Sequence, residues 1–182
     1  LHQPASLTLI EFFTNTTSAQ QIACFDTMFH QTMPGQARKY PLPENLVKKH
    51  ALLRYGFHGL SHAALLAKIQ TITKKRYPKI ITGQLGNGVS LCAIHDGKSI
   101  DTSMGFTPLE GLPMGTRSGN IDPSIIPFLC TVEKKTPQQI LSLLEHESGF
   151  KALVGVSDVR IVRKKAASGN AQAVFALDFF AY

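Results

Sequence analysis

Long hydrophobic runs are missing from this chain, and its first residues lack the pattern of a leader. No stretch approaches the roughly eighteen apolar residues that a membrane-crossing helix needs, and no charged region followed by an apolar one opens the chain. A soluble protein with no membrane partner is expected. Cysteine is scarce: Cys24, Cys92 and Cys130 are odd in number, widely spaced and each set among apolar neighbours. That pattern argues against disulfides and a thiolate metal site and predicts buried thiols in a reducing compartment, the cytoplasm. Acidic residues are also short, 12 Asp and Glu against 19 Lys and Arg, for a formal charge of +7. The excess is dispersed except at Lys48-Lys49, Lys74-Lys75-Arg76, Lys134-Lys135 and Arg163-Lys164-Lys165. These runs lack interleaved aromatics and sit near expected helix ends or linkers, so they read as solvated faces rather than a nucleic-acid surface, and a small anionic substrate fits the charge as well. Internal repeats and low-complexity segments are absent too.

What is present is 43% hydrophobic residues in a chain of 182, enough for one or two modest globular cores. The chain starts at Leu1 and ends at Tyr182 inside an expected helix from Ala171, without a cap or stop signal, which reads as a piece of a longer protein. Its centre is KIITGQLGNGVSLCAIHDGKSIDTS, residues 79–103. Apolar β-rich runs separated by Gly86-Asn87-Gly88 and by Asp96-Gly97 predict three consecutive antiparallel strands. Gly-Asn-Gly has two readings: a plain hairpin turn, or a tip whose backbone N–H groups approach a phosphate closely.

Upstream, Leu7 to Phe13 predicts a short helix and Ile22 to Phe25 a buried strand ending at Asp26. A carboxylate there either serves a ligand at the end of the strand or caps the turn that follows. His30 to Pro43 holds three prolines and predicts a long surface loop; Glu44 to His50 follows as a helix entered through Pro43. In RYGFHGLSH, Ser61 is positioned to cap a helix from His62 to Thr71, and Arg54, His58 and His62 within nine positions raise the prospect of an anion site. Lys74 to Pro78 is the expected domain boundary. Met104 to Asn120, rich in Gly and Pro, predicts an irregular loop carrying Arg117, which is either simply solvated or clamps a phosphate or carboxylate. Asp122-Pro123 opens a helix over 124–132, Thr136, Pro137 and Gln139 form a capping box for one ending near Ser148-Gly149, and Ser157 caps one over 158–167 that Gly169 ends. Ile140, Leu143 and Leu144, and Val159, Val162 and Ala166, are spaced as core faces.

Five motifs, FDTMFHQTMP, RYGFHGLSH, QLGNGVS, GKSIDTSMGFTPLEGLPMGTRSGNIDP and SGFKALVGVSDVR, resemble in order the signatures of the acetokinase family, the acetate, propionate and butyrate kinases. The resemblance implies an α/β, RNase H-like fold of the actin, sugar kinase and Hsp70 type, here a partial two-domain chain with mixed sheets and flanking helices. Residues 1–74 would be the later part of the first domain and 75–182 the first half of the second, truncated at both ends. It implies a phosphotransferase with a carboxyl acceptor: reversible in-line transfer of the ATP γ-phosphoryl group to acetate, giving acetyl phosphate and ADP, with Mg²⁺, in a cytoplasmic homodimer. Propionate or butyrate as acceptor, and a non-catalytic remnant acting as a binding module, are the alternatives.

By the same resemblance Asp26, His58 and Arg117 are the catalytic residues, with Asp26 orienting or linked to the metal. Gln84, Leu85, Gly86, Asn87 and Gly88 form the nucleotide-phosphate hairpin. Leu1, Phe57 and Pro108 line the pocket for the acetate methyl group, and His2 is a histidine of the cleft. Two positions depart from the family pattern: Gln84 stands for histidine and Asn120 for aspartate, the latter expected to loosen the orientation of Arg117. The family's first phosphate hairpin with its asparagine, a first-domain arginine, the Gly-rich adenosine motif and a C-terminal glutamate for Mg²⁺ are not among these residues, so the chain by itself is expected to be incomplete and inactive.

Overall fold

The computed structural model describes residues 3–182, with side chains from residue 5 onward; Leu1 and His2 lie outside the described residues. The central stretch folds into three strands, β1 (Lys79–Leu85), β2 (Val89–His95) and β3 (Lys98–Thr102), in the order β1-β2-β3 with both pairs antiparallel. The β1–β2 ladder is regular from Lys79 opposite His95 to Leu85 opposite Val89. At the β2–β3 hairpin Asp96 and Gly97 take φ values of 47° and 81°, the two left-handed residues that a tight hairpin twisted with its strands requires. In β3 the register slips: Asp101 faces Ala93 but Ser99 faces Ile94, leaving Ile100 as an extra, bulged residue. Strict alternation would put Ser99 and Thr102, three apart, on opposite faces; the bulge puts both inside, at 0% and 5% exposure.

One face of this sheet is covered. Helix α4 (Gly59–Thr73) and a 3-10 helix (Met28–Thr32) lie against it, where Leu66, Cys92 and Ile94 pack with Phe29 and Ile80. The segment 30–43 is therefore not the surface loop expected. It holds the end of that 3-10 helix and a short helix α2 (Gly35–Arg38), and His30 is buried against the sheet. Helix α3 (Glu44–His50) follows Pro43 as expected.

Toward the N-terminus, α1 (Gln3–Thr16) is longer than the expected helix. Residues 17–25 form no strand: Ile22 is 78% and Phe25 63% exposed. An apolar run becomes a buried strand only beside a partner ladder, and among the described residues none runs alongside it. Cys24 is exposed for the same reason and Cys130 half-buried, so of the three thiols Cys92 alone is deeply buried.

Downstream, Met104 to Asn120 is irregular, and five helices follow: α5 (Ile125–Val132), α6 (Pro137–His146), α7 (Gly149–Val154), α8 (Val159–Ala167) and α9 (Ala171–Ala181). Thr136 and Gln139 close the expected capping box, but α6 ends at His146 and α7 begins anew. Asp122 accepts bonds from both N–H and Oγ–H of Ser124 ahead of α5. Asp158, not Ser157, caps α8, its carboxylate accepting from Arg160 N at 2.9 Å. Phe150, Val154, Val162, Ala173 and Ala176 form the core of α7, α8 and α9. Val89, Met104 and Met114, packed with Phe57, Leu112 and Phe180, join it to the hairpin. No helix among the described residues is long and apolar enough to cross a membrane.

Candidate functional site

The N-terminus of α4 is held from far upstream. Gly59 N donates to the Asp26 carbonyl at 2.8 Å, and Asp26 Oδ2 accepts from His58 N at 2.6 Å. A Cβ on residue 59 would run into that carbonyl, so the close approach requires glycine. Asp26 thus caps α4 across 32 residues of sequence rather than the turn after itself, and its half-exposed carboxylate keeps free lone pairs. Ser61 does not cap the helix: it lies inside α4 and donates to Gln84 Oε1 at 2.6 Å.

His58 itself takes φ 59°, ψ 23°, left-handed backbone that costs a non-glycine residue about 1 kcal/mol. Among the described residues Ala51, Lys74 and Lys134 do so at helix C-terminal ends and Asp96 in a hairpin; His58 alone does so at a helix start. Such strain persists where surrounding contacts over-determine it. Those contacts are Asp26 behind the backbone and Ser90 Oγ 2.8 Å from Nδ1 in front. Ser90 Oγ also lies 2.9 Å from His62 Nε2, and His62 Nδ1 2.7 Å from Thr82 Oγ1. One residue before His58, the Phe57 carbonyl accepts from His30 Nε2 at 3.0 Å, so His30 Nδ1 must accept from Ser99 Oγ at 2.9 Å.

Burial is the first cause that lowers the pKa of all three of these histidines. His62 is pushed down to about 4, with His30 and His58 nearby adding to the effect. At His58 the Asp26 carboxylate opposes the shift and the Arg117 cation reinforces it.

Of the three basic residues expected to form an anion site, only His58 faces the hairpin tip. His62 is buried in the hydroxyl network, and Arg54 points elsewhere: its Nη2 pairs with Glu110 Oε1 at 2.5 Å, beside the Tyr40 ring. Tyr40 donates to the same carboxylate, and burial with that partner pushes its pKa up to about 12. Asn120 exchanges two bonds with the Gly111 backbone, at 2.8 and 2.9 Å, and none with Arg117. The orientation of Arg117 in this structure is set without a bond to Asn120. It comes from the loop: Met114 N bonds the Arg117 carbonyl at 3.0 Å, Ser118 N reaches back to Leu144 O at 2.9 Å, and Arg117 Nη1 donates to Pro108 O at 3.2 Å.

Gly88 is where these pieces meet. A Cβ built on it would lie 3.2 Å from Arg117 Nη1 and 3.4 Å from His58 Nε2, so any larger residue would crowd both donors. Across the turn, Asn87 O receives a long bond from Gly115 N at 3.5 Å, tying the tip to the loop that carries Arg117. Ser61 engages the carbonyl oxygen of Gln84, whose Nε2 lies 3.5 Å from the Cβ position of Gly86, so the amide turns its donors toward the turn. Leu85 is 68% exposed and turned away from it. The arrangement offers one cation and several neutral N–H donors around a small space, suited to an oxyanion. No group of three His, Cys, Asp or Glu side chains that could hold a metal occurs among the described residues. Asp26 is the carboxylate at the site.

Sequence reasoning missed Thr82, Ser90 and Ser99. Their signal was hydroxyl residues at inward positions of otherwise apolar strands.

The acetokinase family model matches residues 1–182. An acetate kinase of Campylobacter jejuni subsp. jejuni is 44% identical over 185 aligned residues, covering 100% of this chain and 47% of that protein. An acetate kinase of Staphylococcus aureus is 47% identical over 185, covering 100% and 46%. Among solved structures, a propionate kinase from Francisella tularensis subsp. tularensis aligns with a TM-score of 0.94 at 42% identity, over 99% of this chain and 47% of that one. The chain spans about half the length of the curated relatives it matches.

Proposed function

This chain belongs to the acetokinase family, and from that premise we propose that it contributes part of a site, including one nucleotide-phosphate hairpin, that transfers the ATP γ-phosphoryl group to a short-chain carboxylate, acetate first. The observation that carries the reading is the convergence of Arg117 Nη1 and His58 Nε2 on Gly88. Transfer to a carboxylate needs no base, since the nucleophile is already charged. The protein's task is to align donor and acceptor and to stabilise charge on the equatorial oxygens. Arg117 supplies a fork of donors with full charge; His58 supplies one oriented N–H; Gln84 supplies neutral amide donors where an imidazole is usual. Asp26 acts through the backbone, fixing the left-handed turn that aims His58.

Mg²⁺ fits this donor set as an ion carried largely by nucleotide phosphates and water, with Asp26 the one carboxylate near enough to assist; bound there it would neutralise phosphate charge. Phe57 and Pro108 are the proposed walls of the acyl pocket. An apolar pocket separates acids differing by one methylene by only about 1 to 3 kcal/mol, so propionate and butyrate are slower substrates rather than excluded ones. Division of the chain near Lys74 to Pro78, with the Leu66, Cys92 and Ile94 cluster as the surface where the two units meet, and a cytoplasmic homodimer belong to the same proposal.

Hydroxylamine trapping tests it. The protein in its native reading frame, given ATP, Mg²⁺ and each acid, is expected to form acyl hydroxamate in the order acetate, propionate, butyrate. Arg117→Ala is expected to lower kcat by on the order of 10²- to 10³-fold, about 3 to 4 kcal/mol. No hydroxamate from any of the three acids overturns the reading in favour of a binding module.

A further inference from the structure

Four residues from β1, β2 and the start of α4 form one unbroken line of hydrogen bonds: Thr82 Oγ1 to His62 Nδ1 at 2.7 Å, His62 Nε2 to Ser90 Oγ at 2.9 Å, and Ser90 Oγ to His58 Nδ1 at 2.8 Å. Thr82, His62 and Ser90 are all buried; only His58 reaches the hairpin tip. Nothing in the transfer chemistry calls on the first three directly.

Proton counting decides which way the line runs. A serine hydroxyl has one proton, so between two imidazoles it donates to one and accepts from the other. A neutral imidazole likewise has one donor and one acceptor nitrogen, so the four groups must all point the same way. If the line ran from His58 inward, His58 Nδ1–H would donate to Ser90, Ser90 to His62, and His62 Nδ1–H to Thr82. The Thr82 hydroxyl proton would then need an acceptor, and its oxygen has no other partner among the described residues. A buried donor left unmade costs about 1 to 3 kcal/mol. Run outward, Thr82 donates to His62 Nδ1, His62 Nε2–H to Ser90, and Ser90 to His58 Nδ1. Every buried proton finds an acceptor, and the last donor, His58 Nε2–H, emerges beside Gly88 and Arg117.

We propose that Thr82, His62 and Ser90 are positioning residues that lock His58 as the neutral Nε2–H tautomer, a standing hydrogen-bond donor to an anionic oxygen at the hairpin tip. The lock leaves no lone pair on Nε2, so His58 serves as a donor and never as a base. It needs no titration, and it explains why a buried threonine, a buried histidine and a buried serine sit behind the half-buried ring of His58. The proposal rests on the function proposed above only for what the anion is, a phosphoryl group.

Long-range ¹H–¹⁵N NMR of histidine-labelled protein reads the tautomer directly, with His58 assigned through His58→Gln. Near pH 7.5 the His58 ring is expected to show a protonated Nε2 and an unprotonated Nδ1. Ser90→Ala is expected to erase that single-tautomer signature. Thr82→Val, which keeps shape and removes only the hydroxyl that starts the line, is expected to weaken it. Because Thr82→Val is near-isosteric, the test survives if Ser90→Ala fails to fold. An Nδ1–H tautomer in the unmodified protein, or an unchanged tautomer in the folded variants, overturns the lock. Inorganic phosphate, added as a separate probe, is expected to shift the Nε2 resonance. A correct tautomer without that shift would sink the phosphoryl reading while leaving the lock standing.

Discussion

The two faces of the three-stranded sheet invert the usual arrangement. The covered face holds Thr82, Ser90, Ser99 and Thr102, all buried, around the single thiol Cys92; the open face carries Ile81 at 76%, Leu85 at 68%, Ile100 at 39% and Leu91 at 38% exposure. Buried polar groups raise stability only when all are paired, and here they are: Thr82, Ser90 and Ser99 through His30, His62 and His58, and Thr102 through the Leu91 carbonyl. The difference teaches where the specificity of this region resides. The inner face is built to hold imidazoles in fixed tautomers beside a binding site, and the outer face, apart from Val89 packed on Met104 and Met114, contributes little to the stability of the structure described.

Acid is the strongest way to break the contrast. His62, buried and neutral, has its pKa lowered from 6.5 to about 4. Between those values the unfolded chain takes up a proton that the folded one refuses. The stability in question is complete above pH 6.5 and is lost as pH falls toward 4, on the order of 3 kcal/mol in all. Urea unfolding midpoints at several pH values should trace that decline, and His62→Gln should flatten it; equal slopes for both proteins would refute the assignment. Next in size is Ser99→Ala, which removes the donor to His30 Nδ1 and leaves a buried acceptor. A loss of about 1 to 3 kcal/mol is expected in the same assay. On the open face, Ile81→Thr should change the unfolding free energy by less than about 0.5 kcal/mol; a larger loss would mean that the outer face is covered after all.

Thiol chemistry draws the same line at a smaller scale. Cys24 is exposed, whereas Cys92 is 1% exposed with its pKa pushed up by burial. A maleimide reagent should label Cys24 in the native protein and Cys92 only under denaturant.

What could be read in the sequence was mostly local. The strands around Gly86 to Gly88 and Asp96-Gly97 stand where turn chemistry put them, because hairpin geometry is decided within a few residues. The Thr136 and Gln139 capping box was legible for the same reason. What escaped was long-range. Asp26 caps a helix 32 positions away, His30 is buried by a sheet that forms nearly 70 residues later, and Ile22 to Phe25 has the composition of a strand without the partner that would make it one. Of the expected site, His58, Arg117 and Gly88 come together, Gln84 turns its amide toward the tip, and Arg54 and His62 are diverted to other partners. Motif spacing locates side chains along the chain; it does not say which way they turn.

The bulge in β3 bears on how this protein tolerates insertion and deletion. Ile100 is the residue by which the strand is one too long for its ladder. Deleting it would join Asp101 to Ser99 as consecutive rungs with the same faces they have now. Deleting Asp101 would do the same, with Ile100 taking its rung, whereas deleting Ser99 or Thr102 would remove an inward hydroxyl and leave the strand out of step. A single-residue deletion scan across β3 should therefore return two adjacent tolerated positions, Ile100 and Asp101, flanked on both sides by losses.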